Sequence, residues 1–412
     1  MGAAIAALAG NFVCSAPVVT ATFGTFLIPI TSEFGWSRSA FAMTLTIVAL
    51  IGVFMFPVAG RIADRWGVRR VVILGNLAFA MAIGFLAFAG NHLSFFYVGY
   101  ALVGTASAFT STVLLSRVVS MWFARTRGSI LGMTAGIGNG MGCAIMPIFT
   151  LYVIAHDGWR FAYLVLGIAI IAIGQPFFLA GLQEPRRSEH TMSAHRSADQ
   201  ASGFTAREAR GTALFWVILV AISLGGGALS AIFTHVVPVL IDKHMGDSAA
   251  AIITAIALSS TVWQIVLGYL LDRAKTPNFS AICIGISAFG VLLLSNASLP
   301  TTSLLAAIMI GVGNGSEYAL LSYVVPRYFG LRSYSEIYGA ILGVVYLCMG
   351  SMPMVMDLVF DKVGSYQPAL LGISVALGIT ALLVLRFPAY RFSREGREIE
   401  SANWSASSVA TV

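Results

Sequence analysis

Charged side chains are scarce in this sequence of 412 residues. Asp, Glu, Lys and Arg make up 10% of it, whereas soluble domains contain about 25%, and hydrophobic residues make up 58%. The mean hydropathy of +0.87 is likewise too high for a soluble surface. We therefore expect an all-α membrane protein that crosses the bilayer many times. Apolar runs of about 20 residues predict twelve spans, numbered 1 to 12, at 8–30, 39–60, 71–90, 94–116, 128–154, 160–182, 212–240, 248–270, 278–297, 302–325, 335–357 and 366–387.

Cysteine is also scarce, and its spacing is not that of a metal or redox site. All four cysteines lie inside predicted spans without a CxxC pair, at positions 14, 143, 283 and 348. We expect them to pack as small apolar side chains. The sequence contains neither an HExxH motif nor a nucleotide-binding P-loop. These absences argue against a membrane enzyme and an ATP-driven pump, and we expect neither a cofactor nor a metal ion.

Basic residues lie mostly on one side of the predicted spans. The opposite loops hold only Arg38, Arg160, Lys243 and Lys362 of the 24 Lys and Arg residues. The positive-inside rule places the basic loops and both termini in the cytoplasm, so the formal charge of +7 needs no nucleic-acid partner. The first apolar run has no basic flank before it and exceeds a signal-peptide core, which predicts a retained helix. We expect a multi-pass protein of the cell membrane, the bacterial inner membrane.

Two sequence landmarks recur at nearly the same offset, about half the chain. The segment from Gly60 to Arg70, GRIADRWGVRR, returns in shortened form at 268–275, and SRVVSMWF at 116–123 resembles SYVVPRYF at 322–329. Such duplication predicts two pseudo-symmetric six-helix bundles. We assign residues 1–182 to the first bundle, 183–211 to a cytoplasmic linker, 212–390 to the second bundle and 391–412 to a disordered tail. Residues 204–210 are expected to form a short amphipathic helix at the cytoplasmic interface.

The repeated charged motif is the candidate gate. Gly60 and Gly67 are expected to shape a tight turn that holds Asp64 near neighbouring helix ends, where a carboxylate caps a helix N-terminus. If the bundles pack as a two-fold, Asp64 faces the start of span 11 near Ser335, and Asp272 faces the start of span 5 near 127–128. These contacts would close the cytoplasmic side and break when it opens. The gating candidates are Gly60, Asp64, Arg65, Gly67, Arg69, Arg70, Asp272 and Arg273.

The pattern GxxxDRxGxRR after span 2, with a truncated partner after span 8, resembles the signature of the major facilitator superfamily. Further segments resemble its branch of bacterial monocarboxylate porters and oxalate/formate antiporters. They are EFGWSR at 33–38, WF at 122–123 with RG at 127–128, GWR at 158–160, HVVP at 235–238 and RYFGLR at 327–332. The resemblance covers residues 8 to 388. It implies the major facilitator fold and a transporter that needs no cofactor.

One departure from this branch concerns the substrate. The porters carry an arginine four residues before the glycine of the second motif, and it pairs with the substrate carboxylate. This sequence has Gln264 there. A neutral amide bonds a carboxylate without neutralising it, and charge-assisted hydrogen bonds are about twice as strong. Either another cation, such as Arg117, supplies the charge, or the substrate is larger, aromatic or less charged.

Polar groups inside predicted spans are the remaining candidates, because polar side chains in hydrocarbon are costly unless they line a cavity. Glu317 lies near the middle of span 10 and either carries a proton through the transport cycle or steadies a glycine-rich helix. Arg117 either reaches back to the cytoplasmic interface, or binds an anion or pairs with Asp64. His235 either gates the external mouth or senses pH, or is an interfacial histidine bonded to water. The substrate-binding candidates are Gln264, Trp263, Arg117, Asn139, Asn314, Tyr346 and Asn11, and the rings of Phe23 and Phe26 either contact substrate or pack.

Glycines cluster in spans 5, 7 and 10 and allow either close helix packing or helix flexing. Taken together, these features predict a monomeric secondary transporter. Its partners are a small-molecule substrate, protons and the lipid bilayer. We expect it to move a small organic acid, of the monocarboxylate kind, by alternating access in symport with protons. The alternative is an anion exchanger or an efflux pump for larger, aromatic or neutral compounds.

Overall fold

The computed structural model describes residues 2–122, 130, 133–182, 203–274, 276–330 and 332–392. Within these residues the chain is helical, and an isolated antiparallel bridge between Gly203 and Gly330 is the one β-type pairing. The helices are α1 (Gly2–Phe12), α2 (Phe23–Phe34), α3 (Arg38–Trp66), α4 (Val68–Phe85), α5 (Leu93–Ala108), α6 (Thr112–Trp122), α7 (Gly138–Ala169), α8 (Gln175–Gly181), α9 (Ala206–Arg210), α10 (Ala213–Asp242), α11 (Ala249–Arg273), α12 (Asn278–Asn296), α13 (Pro300–Phe329), α14 (Tyr334–Val363) and α15 (Gln367–Leu385).

Ten helical segments of the described chain are long and apolar enough to cross a membrane. One of them, Gly138–Gly181, has 44 residues, or about 66 Å of helix, more than twice the hydrocarbon thickness. It reverses at Gly158, where φ is 82° and ψ is 168°. Gly138, at the start of the segment, packs against Leu8, and Gly181, at its end, packs against Gly2. Both ends of the segment therefore lie beside the same helix, α1. The segment therefore crosses twice, and with the 30-residue α13 the described helices agree with the twelve predicted spans.

The helices bury one side against their own half and expose apolar side chains on the other. One buried cluster draws its members from residues 206–390, with Ala21 added, while two others lie within residues 3–182. On the outer surface, Phe54, Met81 and Phe88 are 67%, 67% and 73% exposed. Large exposed apolar side chains of this kind suit a lipid environment.

The most extensive contact between the two halves runs along three helix pairs: α3 with α14, α7 with α11, and α2 with α10. Glycine makes the approach close. A Cβ on Gly350 of α14 would lie 2.2 Å from the Cβ of Ala49 in α3, and one on Gly24 of α2 would lie 2.3 Å from the carbonyl oxygen of Thr234 in α10. The absence of a side chain at these two glycines lets the backbones of the facing helices approach closely. We name the two ends of the bundle after α3, as the Arg38 end and the Arg65 end.

The short helix predicted at 204–210 is present as α9. Its N-terminus carries a capping box, in which the Thr205 hydroxyl accepts from the Glu208 N–H and the Glu208 carboxylate accepts from the Thr205 N–H. Its position at the bilayer interface stays a prediction. Its apolar residues, Ala206 and Ala209, are buried in the core of the second half, and Arg210 bonds Glu336 at 3.0 Å. The predicted linker residues 183–202 and tail residues 393–412 lie outside the described part.

Candidate functional site

Glu317 lies in the middle of α13, with 8% of its surface exposed. Neither carboxylate oxygen has a hydrogen-bond partner among the residues that the structure describes. The carboxylate lies against α10, where Cβ atoms on Gly225 and Gly226 would be 3.2 and 3.5 Å from its oxygens. Larger side chains at these glycines would occupy the space that holds the carboxylate. An ionised carboxylate without donors is costly in such a place, so a proton on Glu317 would remove a large penalty.

The polar residues around Glu317 have partners of their own. Ser316 donates to the carbonyl oxygen of Val312 at 2.7 Å, and Asn314 donates its amide to the Ser260 hydroxyl of α11 at 3.0 Å. Asn314 thus joins two helices of the second half. Both groups of this bond lie in the second half, and the predicted contact of Asn314 with substrate stays a prediction.

Two predicted substrate ligands lie where the halves meet. The Gln264 amide oxygen of α11 lies 3.6 Å from the position that a Cβ on Gly136 would take, in the π-helical turn Met133–Ile137 before α7. The Tyr346 ring of α14 meets the Phe56 ring of α3 with centroids 5.2 Å apart. Both side chains therefore face the opposite half, which is the location that alternating access requires of a substrate ligand.

The other predicted ligands lie within one half. Asn11 donates to the carbonyl oxygen of Ala7 and accepts from Thr112, so its amide is already bonded. The Asn139 oxygen accepts from Cys143 at 3.6 Å and lies 4.0 Å from the Cys14 sulfur. Trp263 packs beside the buried cluster of Leu267, Leu271, Cys283 and Val312. Arg117 lies on α6, and its side chain is outside the described part.

The aromatic rings near the Arg38 end pack against each other. Phe26 stacks on Tyr163 with centroids 4.0 Å apart, and Phe23 stacks on Phe41 at 5.3 Å. Both Phe side chains are 1% exposed. In this conformation they pack, which is one of the two roles the sequence allowed.

The charged motif lies at the end of α3, and the structure differs from the prediction at Gly60. Gly60 lies inside α3, with open space where a Cβ would be, so the prediction that it shapes the turn is wrong. The turn forms at Gly67 alone, where φ is 86° and glycine is favoured. Helix continues through residue 60 because one helical glycine costs only about 1 kcal/mol relative to alanine.

Basic side chains surround this turn. Arg61 and Arg65 line a cavity of about 490 Å³ with Val58 and Ile62. Arg69 donates to the carbonyl oxygen of Leu179 at 2.7 Å. Of the other gating candidates, Arg70 is exposed. The guanidinium carbon of Arg273 lies 3.8 Å from the centroid of the Tyr269 ring. The side chains of Asp64, Asp272 and Ser335 and the segment 127–128 lie outside the described part, so the predicted carboxylate contacts stay predictions.

A network at the Arg38 end joins the two halves. Arg38 bonds both carboxylate oxygens of Asp242 in α10, at 2.7 and 3.1 Å, and donates to the Tyr366 hydroxyl at 3.1 Å. The backbone N–H groups of Arg38 and Ser39 donate to the two oxygens of Asp361 in α14. The N-terminus of α3 is therefore held by a carboxylate of the other half. We call this set of contacts the Arg38 network.

A buried ion pair continues the network inward. The Nε2 atom of His235 in α10 lies 2.8 Å from Oδ2 of Asp357 in α14, and both side chains are 0% exposed. The Tyr366 hydroxyl donates to Oδ1 of Asp357 at 2.7 Å. The alternative of an interfacial, water-bonded His235 is therefore wrong. Sequence reasoning selected His235 and missed Asp357, although a carboxylate at the last residue of predicted span 11 was a usable signal.

Comparisons with known proteins agree with this fold. The profile of the Major Facilitator Superfamily matches residues 8–353, and the chain belongs to this superfamily of membrane transporters, which are not enzymes. The resemblance inferred from the motifs is confirmed.

Individual relatives are distant. The chain is similar to mouse monocarboxylate transporter 11, with 26% identity over 334 residues, covering 76% of this chain and 71% of the relative. It is also similar to the uncharacterized MFS-type transporter YhjX of Escherichia coli K12, with 24% identity over 322 residues and 76% of each chain covered. The crystal structure of a mutant nucleoside transporter NupG superposes with a TM-score of 0.73 at 14% identity, covering 93% of this chain and 98% of that one. At that identity the likeness concerns the fold alone.

Proposed function

We propose that this protein is a secondary active transporter that moves a small organic acid, of the monocarboxylate kind, across the cell membrane in symport with protons. The relative named a monocarboxylate transporter supports the substrate class. The observation that carries the proposal is Glu317, a carboxyl group buried in the membrane part of the second half without a hydrogen-bond partner in the described chain.

Glu317 is suited to bind a proton and release it. Its oxygens lie beside the glycines of α10 and have no hydrogen-bond partner in the described part of the chain, so protonation changes the net charge of this part of the bundle interior. A charged and a neutral carboxyl group favour different degrees of hydration. A conformational equilibrium that exposes the group to one side at a time therefore responds to its proton.

The conformational change in this proposal is a swing of the two halves, residues 1–182 and 212–390, about the contacts that they share. The Arg38 end faces outside, because the loops at the Arg65 end carry most of the basic residues. The Arg38 network and the Gly350 contact join the two halves near the Arg38 end, so in this proposal they close the outer side. One chain contains both halves, so a monomer is the functional unit.

The substrate lies between the halves in this proposal, in contact with Gln264 and Tyr346, which face the first half. Gln264 also supports the second candidate function, exchange or efflux of a larger or less charged compound, because an amide does not neutralise a carboxylate.

Reconstituted vesicles test the proposal. Uptake of radiolabelled monocarboxylates is measured with an acid exterior, for the wild type and for Glu317→Gln. We expect pH-gradient uptake in the wild type and its loss in the variant, because glutamine keeps the shape but binds no proton. Glu336→Gln is the matched control, since Glu336 is an exposed carboxylate that pairs with Arg210 in the same half. Uptake that ignores the pH gradient, or gradient-dependent uptake by Glu317→Gln, would contradict proton symport through this residue.

A further inference from the structure

The hydrogen bonds of His235 determine which of its ring nitrogens carries hydrogen. Nδ1 lies 3.0 Å from the carbonyl oxygen of Ala231. A carbonyl oxygen only accepts, so Nδ1 is the donor in this bond. The hydroxyl of Thr234, 3.0 Å from the same nitrogen, already has carbonyl acceptors at Ser230 and Ala231 for its own hydrogen. On this pattern of contacts we assign a hydrogen to Nδ1 in the described conformation.

With a hydrogen on Nδ1, a further proton has its place in the contact between His235 and Asp357. Nε2 of His235 and Oδ2 of Asp357 lie 2.8 Å apart, and neither has another hydrogen-bond partner among the described residues. If no hydrogen lay between them, a nitrogen lone pair would face a carboxylate oxygen in a fully buried place, which is repulsive. The contact requires one proton, whether it sits on the imidazole or on the carboxyl group. With that proton the pair is neutral overall, and without it the pair carries one buried negative charge.

The pair connects to the gate between the halves. Tyr366 donates to Asp357 and accepts from Arg38, and burial together with the nearby Asp357 carboxylate raises the pKa of Tyr366, so the phenol keeps its hydrogen. His235 lies on α10 and Asp357 on α14, the two helices that also carry Asp242 and Asp361. A separation of α10 from α14 at this point would therefore pull apart the acceptors that hold the start of α3.

Other charged and titratable groups face the same region. Arg38 comes from α3, Asp242 from α10, Asp361 from α14 and Tyr366 from the start of α15, while the Phe23 ring of α2 lies 6.1 Å from the imidazole. Lys243 donates to the carbonyl oxygens of Ser295 and Ala297, and Lys362 is exposed. Arg38 faces two carboxylates, Asp242 and Asp361. A further negative charge on the pair is therefore added to a group that is already anionic.

We propose that the His235–Asp357 pair is a proton-binding site, and that the proton bound there closes the Arg38 end of the transporter. The inference rests on the alternating access proposed above, and it adds a second proton site to Glu317. Loss of the proton leaves an uncompensated charge in a dry place, which is relieved when α10 and α14 part and water enters. The closed end therefore binds the proton more tightly than the open end, and a lower pH favours closure.

Closure of the Arg38 end at lower pH is the direction that import in symport with protons requires. A proton that arrives from outside while the Arg38 end is open makes closure more favourable, and closure precedes release on the other side. By linkage, one proton changes the ratio of open to closed molecules by at most about tenfold per pH unit.

The test measures opening without any substrate. Spin labels are placed on cysteines at His92 and Lys362, which are exposed residues of opposite halves at the Arg38 end, after the four native cysteines are replaced by serine. Pulsed electron spin resonance on protein in nanodiscs gives the distance distribution between about pH 5 and about pH 8. We expect the longer, open distance to gain population as the pH rises.

Two variants change the charge of the pair in opposite ways. In Asp357→Asn the amide N–H can donate to Nε2 and the site is neutral without the proton, so this variant should stay closed and lose the pH response of the pair. In His235→Gln the amide N–H can donate to the carboxylate, but the negative charge of Asp357 stays without a proton, so the open distance should gain population relative to the wild type. Glu33→Gln is the matched control, because it breaks the 2.7 Å pair with Arg160 at the same end but within the first half. It should keep the wild-type pH response.

The wild type and the variants of the pair are also measured with Glu317→Gln, because the conformational equilibrium responds to the proton on Glu317 as well. In that background the remaining pH response belongs to the His235–Asp357 pair. Should Asp357→Asn not fold, His235→Gln decides alone. The inference is overturned by a wild type whose distances ignore pH or shorten as the pH rises, or by a pH response that Asp357→Asn keeps in the Glu317→Gln background. Failure of vesicles to take up organic acids would contradict the proposed function and leave this measurement unaffected.

Discussion

The contact between α3 and α14 gives a quantitative test of which surfaces separate during opening. Gly350 of α14 lies against α3, and the Thr46 hydroxyl donates to its carbonyl oxygen at 2.9 Å. A Cβ added at Gly350 would lie 2.2 Å from the Cβ of Ala49 and 2.8 Å from the carbonyl oxygen of Leu45. Carbon atoms prefer separations of about 3.5–4.0 Å. In Gly350→Ala the two helices must therefore move apart by more than 1 Å or accept the overlap.

Overpacking by one methyl group costs about 1–3 kcal/mol. If the helices separate when the Arg38 end opens, the cost falls on the closed state alone. The ratio of open to closed molecules then rises by about 5-fold to about 150-fold. Gly343→Ala is the matched control, because it lies on the same helix and its Cβ would be 3.8 Å from the nearest atom of Val53, an ordinary contact.

The same pair of spin labels, at His92 and Lys362, reports the result. We expect the open distance to gain population in Gly350→Ala and to match the wild type in Gly343→Ala, with thermal unfolding recorded to exclude misfolding. Identical distance distributions for the wild type and Gly350→Ala would refute the reasoning. An equal shift in both alanine variants would refute it as well, since the two differ in their contact with α3.

Three further predictions concern the motif, the substrate and the linker. Asp64→Asn should slow transport in vesicles while leaving thermal unfolding unchanged, because the motif position of Asp64 points to gating; normal turnover would contradict this. Gln264→Arg should tighten the binding of monocarboxylates, measured by thermal shift or calorimetry, because a guanidinium neutralises a carboxylate; unchanged affinity would place the substrate elsewhere. Thr205→Ala should speed amide exchange in α9 by about fivefold through loss of the cap. Because the Thr205 N–H lowers the pKa of Glu208, the protection that Glu208 provides should be present at neutral pH and lost as the pH falls below the ordinary carboxyl range.

The membrane spans could be predicted from the sequence because hydrophobic length is a local property. A run of about 20 apolar residues has few alternatives to crossing the bilayer as a helix, and the structure agrees at span after span. At Gly60 a local property was misleading. Glycine favours a turn, but one glycine inside a helix costs little. The apolar helix before Gly60 and the turn at Gly67 therefore determine where α3 ends.

In the candidate site, the residues could be selected from the sequence, but their contacts could not. Glu317 and His235 were selected because an ionisable residue within a predicted span is conspicuous by itself. Sequence did not indicate that Glu317 contacts glycines of α10, since this depends on how α13 packs on another helix. Nor did it indicate that Arg38 bonds Asp242, Tyr366 and Asp361, because loop charges carry no information on their partners.

Composition, apolar run length and the placement of basic residues predict, from the chain alone, a helical membrane protein and the expected direction of its helices, since each depends on the preference of a segment for lipid or water. The recurring segments add its duplicated plan. The pairing of His235 with Asp357, and of Arg38 with the far half, was decided only by tertiary structure. Hydrogen bonds require atoms within about 3 Å, and residues on separate helices reach that distance only after the helices have packed. The protonation argument for the closed end therefore depends on the fold rather than on any motif.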